Sequence, residues 1–565
     1  MLKKNVHLLV ISLLTLLSFL VLFMLRGADD NGLTSWQWVF GQSGAAAVFL
    51  VISAGVVLLI AFSKVSCSLR RPAFLLFLLS FIAIAPFWSE PEVIVDSARY
   101  FTQAKHLEIY GIGYFIKQWG RDIAAWTDML LVPFLFGLIF RVAGEVRLYI
   151  QIFTTLLFSL TVFLTYLIGK ELWDEETGLY GAALLFGIPY LLTQASLMLV
   201  DVPTMFFLTF SIYAFIRALS GKTICSIILA AVAIFLAFFS KYSTWPMLSV
   251  LAVIFLVIRY REQDAPYRSY LFRVFLVFLI DAVLIGAVVF FYRDVIMGQI
   301  RLLMSYQKPG LGRWGESFAS IYLFQIHPFV SVLALSSLWF AVKRRDKKYA
   351  IVCWLVLLVL LFHVRRIRYI IPLFPMIALM ASYGLQQVRD REIRRFIALC
   401  ILLSSLSVSY LAYLPFTNKM SAANLKRAGS FLDTLEEKNV EVLTIPLREE
   451  VLNPAVAVPL LDLYTGKRII YRYDPSIFHP KEDIETSPLR FTWEYKNPRY
   501  YSAANIPEKE NTAIVVIGGE LGDVFPIAVS QKTRDYYAVR AFVDDEGVFQ
   551  FKTFVAVYRR LSPAK

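Results

Sequence analysis

The run Met129-Leu130-Leu131-Val132-Pro133-Phe134-Leu135-Phe136-Gly137-Leu138-Ile139-Phe140-Arg141-Val142 is apolar but for one arginine, and its reading sets the side of every segment after it. A spanning helix needs about 20 apolar residues, and this run falls short. On either side, runs suitable for crossing lie at 7–25, 44–63, 72–88, 149–169, 178–195, 203–219, 223–240, 244–258, 272–292, 320–341, 349–364, 369–386 and 396–415. The chain is 58% hydrophobic and 17% charged over 565 residues. A soluble protein carries about 45–50% apolar and about 25% charged residues. A polytopic α-helical membrane protein is the reading that composition allows.

Loop charge decides the doubtful run. If 129–142 does not cross, the clusters Lys64/Arg70/Arg71, Arg259/Arg261/Arg268/Arg273, Lys343/Arg344/Arg345/Lys347/Lys348 and Arg389/Arg391/Arg394/Arg395 all face the cytoplasm. If it crosses, the last three clusters move outside, against the positive-inside rule. A short interfacial or re-entrant helix is therefore expected at 129–142, leaving about thirteen spans with the N-terminus inside and the C-terminus outside. The first run, His7–Leu25, reads as a signal anchor, being too long for a signal-peptide core and lacking a small-x-small cleavage site. The net charge of +14 follows from retained cytoplasmic Lys and Arg and does not point to nucleic acid. Cys67, Cys225, Cys353 and Cys400 have no CxxC spacing, which excludes a zinc-ribbon pattern and argues against a disulfide framework.

From about residue 416 the sequence turns polar. Residues 416–565 read as a soluble α/β domain on the outer face, with a helix over Ala422–Lys438 and strands over Val440–Ile445, Ala513–Ile517 and Phe551–Tyr558. Gly518-Gly519 reads as a turn, with no nucleotide-binding pattern around it. The expected organisation is then two additional N-terminal helices in 1–71, a membrane catalytic region over 72–415 with an external loop at 89–148, and the outer domain.

Ionisable groups beside apolar runs are functional candidates. The outer side carries Ser89-Glu90-Pro91-Glu92-Val93-Ile94-Val95-Asp96-Ser97-Ala98-Arg99-Tyr100, then Asp201 before Pro203, Lys241-Tyr242-Ser243, and Arg365-Arg366-Ile367-Arg368-Tyr369. Asp96 and Asp201 each read equally well as helix N-caps. Lys241 reads as a cation reaching for headgroups. Arg365, Arg366 and Arg368 lie on the side disfavoured for cations and call for an anionic partner, a phosphate being the simplest. His327 and His363 read first as satisfied core residues, and Glu171–Glu176 as a solvated loop.

In this order these motifs resemble the glycosyltransferase C superfamily, in the branch holding the protein O-mannosyltransferases and the lipid A aminoarabinose transferase. Asp96-Ser97-Ala98-Arg99-Tyr100 is similar to that branch's Asp-Glu-x-Arg-Tyr motif, with Ser97 in place of the glutamate. Val200-Asp201-Val202-Pro203 resembles its second acidic motif, Ser240-Lys241-Tyr242-Ser243 its lysine turn, and Arg368-Tyr369-Ile370-Ile371-Pro372 its late Arg-Tyr-x-x-Pro motif. The likeness covers about residues 72–415. It implies the glycosyltransferase C fold and transfer of a sugar from a polyprenyl-phosphate donor to a hydroxyl of a protein, lipid or glycan at the outer face, in a bacterial inner membrane by default.

On that reading Asp96 is the general base, Asp201 a second catalytic carboxylate that orients Lys241, Arg99 or the acceptor, and Lys241, Arg366, Arg368 and Arg365 the phosphate-binding cations. Arg99, Tyr100, Tyr242, Tyr369 and His327 are candidate sugar or lipid contacts. Two carboxylates also permit a retaining double displacement, so inversion rests on the resemblance alone. No motif demands a cofactor, though the acids leave room for a divalent cation. The expected partners are the lipid-linked donor, the hydroxyl acceptor and membrane lipids, with no nucleic acid. The competing readings are a transporter or flippase for lipid-linked sugars, for which the paired repeats are missing, and a scaffold, which leaves the clustered charges unexplained.

Overall fold

The computed structural model describes residues 6–16, 44–62, 71–221, 223–261, 267–310, 316–445, 453–472, 490–502, 511–519, 525–544 and 553–560. The far part of the expected 7–25 run, the loop holding Lys64, Cys67 and Arg70, and the start of the strand expected at 551 lie outside these residues.

Among the described residues six helices are long and apolar enough to cross a membrane: Pro72–Ser89, Arg147–Leu172, Asp201–Ser220, Tyr270–Phe291, Ile367–Leu385 and Arg391–Thr417. The other expected crossings are helical but short or interrupted. The 178–195 run is two helices, Glu175–Phe186 and Pro189–Gln194. Proline disfavours the helical region for the residue before it, so the chain breaks at Ile188, which is extended. Residues 320–341 break in the same way at His327, which is extended ahead of Pro328. The 244–258 run divides into Thr244–Met247 and Val250–Arg261.

The short loop around Glu171–Glu176 has a structural task. Asp174 caps the helix Glu175–Phe186, its carboxylate accepting the Thr177 backbone N–H at 2.8 Å. That helix lies hard against Arg147–Leu172. A Cβ added to Gly169 would stand 2.6 Å from the Gly178 backbone, so the crossing depends on both glycines.

The doubtful run forms a helix at Leu131–Ala143. It packs along Ile94–Tyr110, the helix that opens the 89–148 loop and is called the loop helix below. Val132, Phe136 and Phe140 are buried against that helix, whereas Val142 is exposed. The approach is tight at Gly137, where a Cβ would meet the Ala104 carbonyl oxygen at 2.8 Å.

The polar C-terminal segment contains a five-stranded mixed sheet: β1 Asn439–Thr444, β2 Arg468–Tyr471, β3 Thr512–Gly518, β4 Tyr536–Asp544 and β5 Thr553–Arg560, in the order β2-β1-β3-β5-β4. β1 runs parallel to β2 and β3, while β5 runs antiparallel to β3 and β4. β2 and the largely exposed edge strand β4 were not expected from the sequence. The helix expected over Ala422–Lys438 stops at Leu432. There Asp433 turns its carboxylate to the Thr465 hydroxyl (2.6 Å) and the Gly466 N–H (2.9 Å). One apolar core runs from Ile94, Ala98 and Phe101 of the loop helix through Val440, Leu460 and Val515. The sheet region thus shares its core with the helix that bears Asp96.

Candidate active site

The loop helix starts after an extended Val93 and carries no side-chain cap. Asp96 sits inside its first turn, so the capping reading fails for it. Asp201 is the first residue of Asp201–Ser220 and caps nothing either. Both carboxylates are turned toward cations instead.

Arg368 is the hub. Its Nε and Nη2 donate to Asp201 at 2.9 and 2.7 Å, and its Nη1 donates to Asp96. Lys241 extends from the end of the helix Ile224–Ser240 and reaches Asp201 at 2.6 Å, inward rather than toward headgroups. Asp201 is fully buried, which is tolerable for a carboxylate only with this many charged donors. Arg99, one turn beyond Asp96, lies 3.3 Å from it and grips Asp128 at 2.7 and 3.0 Å. Gln103 donates to the same Asp128 at 3.1 Å.

Four residues of the Arg365–Tyr369 stretch divide by role. Arg366 and Lys241 both lie over the Tyr369 ring, 5.5 and 4.7 Å from its centre. The Tyr369 hydroxyl accepts from Tyr242 at 2.8 Å, and both tyrosines bond to Gln307. Arg365 is exposed and stands outside the network. His327 is also apart from it: Nε2 pairs with the Ser404 hydroxyl at 2.8 Å and Nδ1 accepts the Phe329 N–H, which makes it a helix cap. His363 lies in the turn after Tyr349–Leu361 rather than within a span.

Arg99, Lys241, Arg366 and Arg368 face Asp96, Asp128 and Asp201, and the buried Glu316 accepts the Ile367 N–H at 2.7 Å beside them, so the charges of the cluster come close to balance. Burial alone would raise the Asp96 carboxyl, but the guanidinium groups of Arg368, Arg99 and Arg366 outweigh it and hold Asp96 well below the usual carboxylate range. Burial pushes Asp128 upward despite Arg99.

Sequence reasoning missed four residues. Asp128 and Trp126 sit just before the apolar run 129–142, which drew the reading away from them. Gln307 lies in a stretch with no periodic signal. Glu92 was quoted but given no task; it is buried and accepts from Arg147 (2.8 Å), the Met198 N–H (2.8 Å) and the Ser97 hydroxyl (3.0 Å). It thereby ties the start of the loop helix to the membrane helices. Ser97, which stands where the resemblance expects a glutamate, completes that tie. Among the described residues no group of three or more His, Cys, Asp or Glu is placed to hold a metal ion.

Residues 128–289 match the family described as dolichyl-phosphate-mannose-protein mannosyltransferase. That stretch includes Asp128, Asp201 and Lys241. No curated protein matches the chain. Among solved structures, ArnT from Cupriavidus metallidurans bound to undecaprenyl phosphate aligns with TM-score 0.53 and 10% identity, over 86% of this chain and 98% of that one. Its apo form aligns with TM-score 0.51 at 10% identity, over 89% and 98%. The archaeal oligosaccharyltransferase AglB from Archaeoglobus fulgidus gives TM-score 0.47 and 11% identity, over 79% and 69%. The chain, with six helices among its described residues long and apolar enough to cross a membrane, shares the fold of these ArnT structures, the glycosyltransferase C fold that the sequence resemblance implied, and over residues 128–289 it is similar to the mannosyltransferase family.

Proposed function

We propose that this protein transfers a sugar from a polyprenyl-phosphate donor to an acceptor hydroxyl at the extracytoplasmic face, with Asp96 as the base. The observation that carries the reading is Arg368 held between Asp96 and Asp201 with Lys241 and Arg366 beside it. A guanidinium shared by two acids is poised to exchange a carboxylate for a phosphate of similar geometry. The ArnT structure that shares the fold is bound to undecaprenyl phosphate, which favours a lipid phosphate as the anion.

In the proposed step the donor phosphate lies against Arg368, Arg366 and Lys241. The acceptor oxygen attacks the anomeric carbon as the bond from that carbon to the phosphate oxygen breaks. The acceptor proton passes to Asp96, and the electron pair leaves with the polyprenyl phosphate. The added charge on the phosphate falls on cations already in place, so little reorganisation is needed. With Arg368 bonded to it Asp96 is a weak base. Drawing Arg368 toward the phosphate relaxes that hold and raises its basicity when the donor is bound. Asp128 keeps Arg99 ionised and anchored, and Arg99 fixes the position of Asp96.

The N-terminus is placed inside, with the loop helix and the C-terminal sheet outside; the loop charges support this sidedness. The test uses purified protein in lipid nanodiscs with undecaprenyl-phosphate sugars. Release of undecaprenyl phosphate that requires an acceptor hydroxyl and Asp96 supports the transferase. Movement of intact donor across a vesicle, with no release, makes the protein a flippase and overturns it.

A further inference from the structure

Arg99 is only 9% exposed, and its N–H groups meet Asp128 and Asp96. Hydrogen bonds act in the plane of a guanidinium and leave its two faces uncovered. Among the described residues three rings face it: Tyr100, Trp126 and Phe491, whose centres lie 5.1, 5.6 and 5.3 Å from the guanidinium carbon. Tyr100 and Trp126 belong to the same 89–148 loop as Arg99, whereas Phe491 comes from the polar C-terminal segment. We propose that Phe491 is a positioning residue: through it the C-terminal segment closes over Arg99 and so holds Asp96 in place for transfer. This rests on the transferase reading, in which Arg99 fixes the base.

Phe491 is gripped on several sides. The Tyr306 ring stands edge to face with it at 5.3 Å, and Trp126 does the same at 6.3 Å. Arg490 lies over the Tyr306 ring at 5.5 Å and pairs with Glu494 at 2.6 Å, while the Thr492 hydroxyl accepts the Asn453 N–H at 3.1 Å. The gap left between this segment and Val95, Ala98 and Arg99 has room for about one water molecule. Dryness matters here, because the 3.3 Å pair of Arg99 with Asp96 strengthens as water is excluded, as does a cation over a ring. Tyr306 is also next in the chain to Gln307, which bonds to Tyr242, to Tyr369 and, at 3.1 Å, to Thr127. The cover over Arg99 is thus tied to the tyrosines beside Lys241 and Arg366.

Two observations set this apart from ordinary packing. Trp126 has φ of 44°, in the left-handed region that a bulky residue keeps only where its surroundings hold it there. Its strained backbone places the second ring over Arg99. Replacing buried charges by apolar residues is often neutral or stabilising, so stability does not explain an arginine enclosed in this way.

The experiment treats the full chain in nanodiscs with phenylglyoxal, an arginine reagent, and reads each arginine by mass spectrometry. Phe491→Ala should speed modification of Arg99 at least about tenfold, by opening its cover. Arg147, buried elsewhere and paired with Glu92 at 2.8 Å, should stay protected. Acceptor-dependent release of undecaprenyl phosphate should fall at least about tenfold, as expected when a base shifts, while undecaprenyl phosphate affinity stays within about twofold. Phe491→Tyr, which keeps the ring, should recover both protection and release. Arg99 that stays protected in Phe491→Ala overturns the proposal, as does Arg147 becoming modified in step with it, which would mean general loosening. Parental release with Arg99 exposed also overturns it, leaving Phe491 a packing residue. A parent that releases no undecaprenyl phosphate would sink the transferase reading, and the modification of Arg99 would still decide whether Phe491 closes over it.

Discussion

Arg368→Lys tests the hub by keeping its charge and removing its shape. The arginine makes three charged hydrogen bonds, two to Asp201 in a fork and one to Asp96. A lysine ammonium is a compact charge that cannot hold both acids at those positions. Asp201 would keep Lys241 at 2.6 Å, so it is not left alone in the core. Losing a charged hydrogen bond costs about 1.5–3 kcal/mol, and relaxation around Lys241 recovers part of it, so a stability loss of about 2–3 kcal/mol is expected. The rate effect should be larger in proportion. Removing a preorganised donor at a developing anion slows turnover about 10²–10³-fold. Undecaprenyl phosphate release under saturating donor reads the rate, and thermal unfolding in detergent reads the stability. Turnover within threefold of the parent would show that the fork serves neither phosphate nor acid, and the argument built on it would fall. Arg368→Ala should be worse in stability, by about 3–5 kcal/mol, because the two carboxylates lose their shared cation and its three charged hydrogen bonds with nothing in its place.

Other outcomes follow from groups outside the hub. Asp281 is buried in Tyr267–Phe291 and, among the described residues, neither carboxylate oxygen has a hydrogen-bond partner. Asp281→Leu should therefore raise stability by about 1–3 kcal/mol; a lower melting temperature would contradict this. Gly137→Ala puts a methyl against the Ala104 carbonyl and Leu107, so it should cost about 1–3 kcal/mol and displace the loop helix, seen as a lower melting temperature with reduced turnover. Glu145 shares Lys105 with Asp462, at 2.9 and 2.6 Å. Burial, with the Asp462 charge adding to it, pushes Glu145 up to about 8. The folded state then holds a proton that the unfolded chain releases, so stability should fall as pH rises from the ordinary glutamate range through about 8. Glu145→Gln should flatten that decline, and an unchanged slope in melting temperature against pH would refute the assignment.

Much of the site was legible because charge is costly where it stands. Asp96, Asp201, Lys241 and Arg368 are ionisable residues beside apolar runs, and their types alone suggested mutual partners. The structure brings all four within one network. What escaped was set by tertiary geometry. Asp128 reaches Arg99 only because the chain turns through Trp119–Ile123 and folds Leu131–Ala143 back along the loop helix. No local period signals that turn. Phe491 meets Trp126 across more than half the chain, which a sequence pattern does not reveal. Arg365 and His327 stand apart from that network: both residue types suit a site, but Arg365 is exposed and His327 caps a helix. The helix breaks at Pro189 and Pro328 were visible in the sequence, yet length and hydropathy alone merged the pieces on either side. β4 was missed for want of an alternating pattern, being an edge strand exposed along most of its length.

The most direct test of the account is the single-turnover rate of Asp96→Asn with a donor bound to saturation. The substitution keeps the side chain's size and a bond to Arg368 while removing the carboxylate proposed to take the acceptor's proton. Lipid phosphate release should fall by at least about 10²-fold, with donor affinity and melting temperature close to the parent's. Release at the parental rate would mean that the proton leaves by another route and that Asp96 only holds Arg368 in place.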